Sequence, residues 1–342
     1  MLAAVYDSAR NIRTRNVTVP DPGPGQVRID VAYTGICGTD LHIFHGHMDS
    51  RVQAPTVIGH EMSGTIAALG PGVTGWALGD PVTVMPLRWC GTCPACLAGH
   101  SHICQHLEFI GIDAAGSMQN SWIVPAELLV ALPVSLDLAS AALVEPVAVA
   151  VHDVRRAELG RHDTAVVIGG GPVGLLIAQV ATLAGADVLI FEVNAYRRRL
   201  AAELGLRAAD PMAVSPVDTV NSWTKGAGAT AAFEVSGAAA GVDTAVAVLG
   251  VRGRLVQVAI HPDPRPVDLH RFFWRELQLL GARLYNGSDF VRAVELVADS
   301  KIRVRPLISA TVPLAEAHKA FDALEAGRTM KILVDCRTQV AP

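Results

Sequence analysis

A glycine-rich turn, GGGPVG at residues 169–174, limits the possible folds of this chain more than any other feature. It follows an apolar stretch typical of a buried strand, residues 164–168, and it opens an apolar stretch typical of a helix. Glycines in this order allow a tight turn and let a pyrophosphate approach the backbone amides at the start of the helix. The turn therefore predicts a βαβ unit that binds a dinucleotide.

The predicted dinucleotide site includes residues of the turn and an acid further along the chain. Glu192 ends the next strand-like run, residues 188–191, where a carboxylate would bind the adenosine ribose hydroxyls and repel a 2′-phosphate. NAD is therefore favoured over NADP, although the three arginines at 197–199 could accept a phosphate if they turned inward. The predicted contacts in the turn itself are Gly169, Gly171, Pro172, Val173 and Gly174.

Length, charge and hydropathy narrow the class of protein. The 342 residues suggest two domains, and a net charge of −4 with few aromatic residues argues against nucleic acid and for a small-molecule partner. The first 16 residues lack the apolar core of a secretory signal, which predicts a cytoplasmic protein whose cysteines are reduced. Residues 164–186 are uncharged and long enough to span a membrane, but their central glycines would expose backbone in lipid, so no membrane association is expected.

The character of the sequence changes twice along the chain. Before about residue 145, short strand-like runs alternate with Pro/Gly turns, which predicts an irregular all-β lobe. The following part alternates strands and helices, the pattern of a doubly wound parallel sheet. After about residue 284, two helical runs and a last strand at 331–334 are expected to rejoin the first lobe, because a final strand needs a sheet edge. The predicted domains are residues 1–147 with 285–342, and residues 148–284.

Particular elements are predicted from these patterns. The strands expected in the first lobe are 27–33, 65–69 and 82–85. In the middle part, the strands expected are 165–168, 188–191, 231–234 and 254–258, and the helices are 173–183, 195–204 and 239–249. Helices at 288–300 and 314–326 are expected in the tail.

Four of the six cysteines lie in one short run, which predicts a metal-binding lobe at about residues 88–106. They are Cys90, Cys93, Cys96 and Cys104. Their spacing lets four thiolates converge on one tetrahedral cation, and because sulfur fills every position the metal is structural. The alternatives are two disulfides or loose thiols, and a nearby histidine, His100, His102 or His106, in place of one cysteine.

A second group of possible metal ligands is spread along the first lobe. Cys37 lies in GICGTDLH at residues 35–42, and His60 and Glu61 follow in GHEMSG at residues 59–64. One thiolate, one imidazole and one or two carboxylates form a mixed site with room for an exchangeable ligand. Taken singly, the three residues could be core filler, a hydrogen-bonded turn residue and a solvated carboxylate.

Together these motifs resemble those of the zinc-dependent medium-chain alcohol dehydrogenases. The glycine-rich pattern from Gly59 to Asp80 resembles the zinc signature of that family, and CGTD at residues 37–40, the cysteine lobe and the glycine turn follow in the family's order. The resemblance covers nearly the whole chain. It implies an α/β protein with a GroES-like irregular β-barrel catalytic domain and a Rossmann NAD-binding domain, two zinc ions per subunit, and a dimer or tetramer.

The resemblance also implies roles at the mixed site. It makes Cys37 and His60 ligands of a catalytic zinc, and Glu61 a third ligand or one that exchanges with water. Glu145 occupies the position where simple alcohol dehydrogenases place a second cysteine. This acidic set is similar to the polyol, butanediol and threonine dehydrogenase branches, and the alternative for Glu145 is a carboxylate favoured at a helix N-terminus.

Further residues take their roles from the same resemblance. Thr39 and His42 match the positions that relay the substrate proton through the cofactor ribose, and the alternative for His42 is a surface histidine. Asp40 is expected to hold the His60 ring. Arg197 matches a position near the adenosine, and Val258 belongs to a segment that lines the nicotinamide in the family.

These expectations define an oxidoreductase that passes a hydride from a secondary alcohol, a polyol or vicinal diol, to NAD and forms a ketone. Alternatives among enzymes are a threonine 3-dehydrogenase-like enzyme, a simple alcohol dehydrogenase and a zinc-free reductase on the same scaffold. The retained metal-ligand residues argue against the last of these. The alternative from another class is a non-catalytic NAD-binding protein, since fold alone does not establish activity.

Overall fold

A computed structural model describes residues 1–337 of the chain. These residues form two compact units. The first comprises Met1–Glu145, Asn286–Ser300 and the described residues from Leu307 on; the second comprises Pro146–Tyr285 and Lys301–Pro306. Within residues 1–337, every helix is too short or too polar to cross a membrane.

The first unit begins with short strands separated by turns. The strands are, in chain order, β1 Leu2–Ser8, β2 Asn11–Asn16, β3 Gln26–Gly35, β4 Thr56–Val57, β5 Glu61–Leu69, β6 Pro81–Val84, β7 Leu87–Arg88, β8 Glu108–Phe109, β9 Ser121–Pro125 and β10 Leu129–Ala131. The helices among them are α1 Gly38–Phe44, α2 Pro94–Leu97 and α3 Leu138–Ala141. The strands expected at 27–33, 65–69 and 82–85 correspond to β3, β5 and β6.

A longer helix, α4 Val144–Arg156, leads into the second unit, where strands and helices alternate. The elements of that unit are β11 Thr164–Ile168, α5 Pro172–Leu183, β12 Asp187–Phe191, α6 Ala195–Glu203, β13 Arg207–Ala209, α7 Pro216–Trp223, β14 Ala229–Glu234, α8 Ala239–Val248, β15 Leu249–Gln257, α9 Leu269–Arg275 and β16 Gln278–Gly281. The strands and helices expected there are all present, with ends that differ by a few residues.

The second unit has the strand order of a Rossmann fold. Its six strands are all parallel and lie in the order β13-β12-β11-β14-β15-β16. Side chains from neighbouring strands, including Val166, Phe191, Ala232 and Leu255, are buried in one apolar cluster. The chain reverses its direction of winding between β11 and β14, and dinucleotides bind outside the carboxyl ends of strands at such a point. The predicted Rossmann sheet is therefore confirmed.

The last part of the chain returns to the first unit. Its elements are α10 Gly287–Ala298, β17 Ile308–Pro313, α11 Ala317–Glu325 and β18 Lys331–Asp335. The strand β18 pairs antiparallel with β3, with Leu333 opposite Gly35, and parallel with β17. The main sheet of this unit thus runs β10-β6-β5-β3-β18-β17, with β9 also on β3. As the sequence predicts, the final strand completes a sheet of the first lobe.

Candidate metal centres and cofactor site

The turn that presents Cys37 is fixed by the local sequence CGTD. Cys37 is the N-cap of α1, and its Sγ accepts a hydrogen bond from the Thr39 amide at 3.2 Å. In return, Asp40 Oδ2 accepts a bond from the Cys37 amide at 2.9 Å. This reciprocal pair is a capping box in which a cysteine takes the place of the usual hydroxyl residue. The thiol is therefore held by the backbone at the start of the helix.

His60 and Glu61 lie next to Cys37 because β3 and β5 are paired. Gly35, two residues before Cys37, lies opposite Glu61 in that pair. The preceding Gly59 has a φ of +101°, and a β-carbon there would lie 2.8 Å from neighbouring side-chain carbons, so glycine is required. The structure brings the ligand atoms of Cys37, His60 and Glu61 within 4.8 Å of one another.

The donor set fits a zinc ion. Cys37 Sγ and His60 Nε2 are 3.2 Å apart, close to the separation of two ligands on one tetrahedral ion. Burial raises the pKa of the Cys37 thiol, and the charge of Asp40 raises it further. Burial lowers the pKa of His60, but the facing Cys37 and Asp40 outweigh it and raise that pKa well above its usual range. A thiol and an imidazole buried in this way suit a bound cation, which favours the thiolate and the neutral ring.

Asp40 holds Cys37 rather than His60. The distance from Asp40 Oδ1 to His60 Nδ1 is 3.7 Å, which is too long for a hydrogen bond, and both atoms are buried without a hydrogen-bond partner. Asp40 faces the His60 ring and acts on it through its charge, without a hydrogen bond, so the expectation that it orients this ring stays a prediction. The other carboxylate oxygen is engaged by the Cys37 amide, because the capping box fixes where the side chain lies.

Lys331 is a residue of this site that the sequence analysis missed. Its ammonium donates to both carboxylate oxygens of Glu61 at 2.7 Å and to the Ile36 carbonyl at 3.1 Å. Lys331 and Glu61 are 2% and 1% exposed, so this ion pair is almost completely buried. Burial lowers the pKa of Lys331, but the Glu61 charge outweighs it and raises that pKa. A single lysine within the apolar last strand was the available signal, since a buried cation needs an acidic partner.

Glu145 is buried near the mixed site but stands apart from its three ligand atoms. It lies in the first turn of α4 and its charge raises the pKa of His60. Its carboxylate does not belong to the group of Cys37, His60 and Glu61 atoms that lie within 4.8 Å of one another. A ligand role for Glu145 therefore stays a prediction.

The two residues of the predicted proton relay lie on α1, three positions apart. Residues with this spacing share one face of a helix. Thr39 is half-buried and His42 is exposed at the last turn. Partial burial lowers the pKa of His42, and the neighbouring imidazoles of His47 and His45 lower it further. A neutral imidazole at the surface is able to accept a proton and release it to water.

The four cysteines of the lobe converge on one point. The Sγ atom of Cys93 is 3.6 Å from that of Cys96 and 3.8 Å from that of Cys104. The Sγ atoms of Cys104 and Cys90 are 3.5 Å apart. A tetrahedral zinc with bonds of about 2.3 Å separates its sulfurs by about 3.8 Å, whereas a disulfide needs about 2.05 Å. All six cysteines, which lie within the described residues, are free thiols.

Backbone amides prepare the lobe for a cation. The Cys93 amide donates to Cys90 Sγ, and the His106 amide donates to Cys104 Sγ, each at 3.3 Å. Amide donors from Thr92 and Cys93 lower the pKa of Cys90 to about 5. The group of converging ligand atoms contains the four cysteines and none of the neighbouring histidines. These thiolates fit a closed zinc site.

The glycine turn is shaped as the dinucleotide hypothesis requires. Gly169 has a φ of +102°, and a β-carbon at Gly174 would lie 2.0 Å from the Gly169 carbonyl oxygen. Gly171 is the N-cap of α5 and Pro172 is its first residue, which pre-orients the helix start. Val173 follows in the first turn, so the free amides at this helix end are available to an anion.

Glu192 lies at the carboxyl end of β12, beside the glycine turn. Its carboxylate accepts hydrogen bonds from the Gly170 and Asn194 amides, each at 2.7 Å. Arg197 Nη1 lies 3.7 Å from that carboxylate. Arg198 is engaged by backbone carbonyls and by Asp210 at 3.0 Å.

Val258 follows the end of β15. Its amide donates to the Glu234 carbonyl at 3.0 Å, which places it at the carboxyl edge of the sheet with the other predicted cofactor residues. Glu234 is fully buried and accepts bonds from Ser236 and Gly237, so it shapes the adjacent loop. The family resemblance predicts that this segment lines the nicotinamide, but the sequence does not reveal that the buried Glu234 carboxylate holds the adjacent loop.

Comparison with known proteins agrees with the fold and the donor sets. The family model of the alcohol dehydrogenase GroES-like domain matches residues 23–134, and that of the zinc-binding dehydrogenases matches residues 172–299. The chain is 47% identical to 2-dehydro-3-deoxy-L-galactonate 5-dehydrogenase of Pseudoalteromonas atlantica, over 99% of this chain and 100% of that one. It is 35% identical to sorbitol dehydrogenase of Halalkalibacterium halodurans, over 92% and 93% of the two chains.

A solved structure gives the same result. A zinc-binding dehydrogenase from Sinorhizobium meliloti, bound to NADP, superposes with a TM-score of 0.92 at 32% identity, over 98% of both chains. The fold and the ligand clusters define a two-part oxidoreductase with a GroES-like domain and a Rossmann domain. The chain belongs to the zinc-binding dehydrogenase family. The expected family, fold class and oxidoreductase activity are confirmed.

Proposed function

We propose that the protein oxidises one secondary hydroxyl of a polyhydroxylated compound to a ketone, with NAD as the hydride acceptor. The observation that carries the proposal is the meeting of Cys37, His60 and Glu61, three ligand types from a helix cap and the start of one strand, within 4.8 Å. A mixed thiolate, imidazole and carboxylate set suits a catalytic zinc that keeps a position for substrate.

The class of substrate is supported by the relatives. Two of the relatives are named for a 2-dehydro-3-deoxy sugar acid and for sorbitol, both of which carry several neighbouring hydroxyls. Identity is higher to the first and extends over its whole length. We therefore place sugar acids and polyols ahead of threonine and simple alcohols. A 2-dehydro-3-deoxy-L-galactonate substrate is the first compound to test.

The chain's own residues divide the work of the reaction. Zinc, when bound, stabilises negative charge on the substrate oxygen, and NAD accepts the hydride. Cys37 and His60 hold the metal, with Glu61 or Glu145 as the acidic ligand. Thr39 Oγ accepts the substrate hydroxyl proton while it donates its own proton onward, by way of the cofactor ribose when NAD is bound, to His42, which releases a proton to water.

NAD is preferred over NADP because Glu192 occupies the place that a ribose 2′-phosphate would need. Its buried carboxylate is fixed by two amides, so it cannot turn away from a phosphate without breaking them. Arg198 is already engaged by protein groups. We expect kcat/KM to favour NAD by about tenfold or more, since like charges placed together cost several kcal/mol and about 1.4 kcal/mol corresponds to a factor of ten. Glu192→Gln reduces that preference, whereas an unchanged ratio contradicts the assignment.

Two zinc ions per subunit are proposed, one in each ligand group. Cys90, Cys93, Cys96 and Cys104 hold the structural ion, and the mixed site holds the catalytic one. Metal analysis of purified protein is expected to give two zinc ions per chain. If the protein binds only one zinc, and this ion remains in Cys37→Ser but is lost in Cys93→Ser, the cysteine lobe is the site that binds it.

The two units have separate roles in this proposal. Residues 1–147 with 285–342 form the catalytic domain, and residues 148–284 form the NAD-binding domain. The reduced thiols of the cysteine lobe suit the cytoplasm.

A homodimer or homotetramer is proposed on the exposed face of the second unit. The strand β16 is the edge of its sheet. Large side chains on and beside it, Phe273, Trp274 and Leu279, are 76%, 68% and 52% exposed, which is unusual for the surface of a monomer. Light scattering is expected to show an oligomer that Phe273→Asp weakens. A wild-type monomer would contradict this.

The proposed activity is tested with a substrate panel and NADH absorbance. The panel contains 2-dehydro-3-deoxy-L-galactonate, sorbitol, xylitol, 2,3-butanediol, threonine and ethanol. Turnover is expected with a polyhydroxylated compound and not with ethanol. His60→Ala must remove it, and the control Cys336→Ser, a buried cysteine outside both ligand groups, must keep it. No NADH from any compound, with zinc and NAD both bound, favours the non-catalytic alternative.

A further inference from the structure

A pair of histidines at the end of α1 has no part in the ligand groups described above. Nδ1 of His42 faces Nδ1 of His47 at 3.4 Å. Two ring nitrogens at this distance form at best a long hydrogen bond, and only when one of them is protonated. A tetrahedral zinc with bonds of about 2.0–2.1 Å separates two nitrogen ligands by about 3.3–3.4 Å. The spacing of this pair is therefore that of two ligands on one ion.

The backbone fixes the pair. Helix α1 ends in a Schellman motif, in which the Gly46 amide donates to the Ile43 carbonyl at 2.8 Å and the His47 amide donates to the His42 carbonyl at 3.0 Å. In this motif the side chains on either side of the glycine commonly contact each other. Here the two positions hold imidazoles. Gly46 has a φ of +79°, and a β-carbon there would lie 2.8 Å from Ala9 Cβ, so the turn is held in place.

The charges around the pair leave its nitrogens available to a cation. Partial burial and the neighbouring imidazoles of His47 and His45 lower the pKa of His42. The ring of His45 lies 5.4 Å from that of His47, but its Nε2 is engaged by Glu325, which also pairs with Arg10 at 3.3 Å. His45 is thus occupied elsewhere, and water completes the coordination of an ion held by the other two.

We propose that His42 and His47 form an additional, reversible site for Zn²⁺ or a similar transition-metal ion, and that its occupation inhibits the enzyme. Neutral imidazole binds Zn²⁺, Ni²⁺ and Cu²⁺ but is a poor ligand for Mg²⁺. An ion on His42 Nδ1 takes the lone pair with which that ring would accept the substrate proton. The inhibitory part rests on the relay role proposed for His42; the binding part rests on the geometry alone.

Binding is tested by calorimetric titration of ZnCl₂ into holoenzyme whose tightly bound zinc has first been measured. The wild type is expected to bind one further Zn²⁺ per chain, and no Mg²⁺. His47→Gln is expected to weaken that binding by about tenfold or more, since even outer-shell changes cost a metal site this much. His318→Gln removes an exposed histidine of α11 and serves as the matched control. Equal binding by wild type and His47→Gln, or equal loss in His318→Gln, overturns the site.

Inhibition is then measured as NADH production at increasing free Zn²⁺. His47→Gln keeps its activity without added metal, because His47 has no part in the reaction. The Zn²⁺ concentration that halves the rate is expected to rise about tenfold or more in His47→Gln and to stay unchanged in His318→Gln. Binding that His47→Gln weakens, with no inhibition of the wild type, upholds the site and overturns both the inhibition and the relay role of His42.

Discussion

The two ligand groups of the first unit differ in how far apart their residues lie in the sequence. The cysteine lobe takes its four ligands from fifteen consecutive positions, from Cys90 to Cys104. The mixed site takes Cys37 from a helix cap, His60 from the residue before β5 and Glu61 from the start of that strand, and Glu61 pairs with Lys331 of the last strand. The first depends on local turns, whereas the second exists only when the sheet is assembled. A metal site built from local turns can stabilise the fold. A site whose ligands come together only after folding can place them for a reaction.

The largest expected effect separates the two groups by cysteine substitution. Cys37→Ser is expected to lower kcat by about three orders of magnitude or more while the protein stays folded, because several kcal/mol of charge stabilisation depend on the proposed catalytic zinc. Cys93→Ser is expected to lower the melting temperature, because structural zinc contributes to folding. Turnover and thermal unfolding are measured on both. A soluble Cys37→Ser protein with near-normal turnover would contradict the expected difference in role between the mixed site and the cysteine lobe.

The second effect concerns the buried ion pair between Lys331 and Glu61, which distinguishes the mixed site from the group of four lobe cysteines. Lys331→Met leaves the Glu61 carboxylate buried without its cation and is expected to destabilise the protein by about 3–5 kcal/mol. The double variant Lys331→Met, Glu61→Gln is expected to recover part of the loss, because the unpaired charge is gone. Urea unfolding of the wild type and of both variants is measured with no zinc in the mixed site, because an ion bound to Glu61 would itself replace the lost cation. If the double variant is no more stable than Lys331→Met, the ion pair with Glu61 does not account for the stability that Lys331 contributes.

A third effect tests whether Glu145 belongs to the mixed site. Glu145→Gln removes a charge that acts on His60 and is expected to weaken catalytic zinc binding by about 10–100-fold. The cysteine lobe should keep its metal. The release of each zinc ion is measured by competition with a chelator that changes colour when it binds zinc. Equal zinc affinity in Glu145→Gln and wild type would assign Glu145 to the helix end alone.

The smallest effect is an expected absence of change in the lobe. His106 is near the four cysteines in sequence and donates its backbone amide to Cys104 Sγ, but its ring does not join the ligand group. His106→Ala should therefore keep the zinc content and change stability by no more than about 0.5 kcal/mol. Loss of one zinc per chain in this variant would mean that a histidine replaces a cysteine in the lobe.

Sequence patterns gave much of the fold because they record local structure. The glycine turn, its flanking strand and helix, and the acid after β12 are separated by fixed short distances, so the Rossmann unit followed directly. The strands of the first lobe were predicted only in part. The hairpin of β1 and β2 was not assigned, because its buried residues do not alternate with exposed ones. The helix α4 was not assigned although its apolar residues recur with helical spacing.

The mixed site was predicted from a resemblance and not from contacts. Nothing local to residues 37–61 indicates that Lys331 will lie against Glu61, since that contact depends on β18 pairing beside β3. Likewise, the hydrogen bond from the Cys37 amide to Asp40, set by the capping geometry of α1, was not predicted when Asp40 was assigned to His60. Contacts between distant segments are set by sheet register, which a single sequence does not reveal.

Anomalous X-ray scattering at the zinc edge, from crystals of fully active protein, tests the central claim most directly. We expect two peaks per chain, one amid the four lobe cysteines and one bonded to both Cys37 Sγ and His60 Nε2. Active protein without the second peak, or with Cys37 and His60 far apart, would contradict the account.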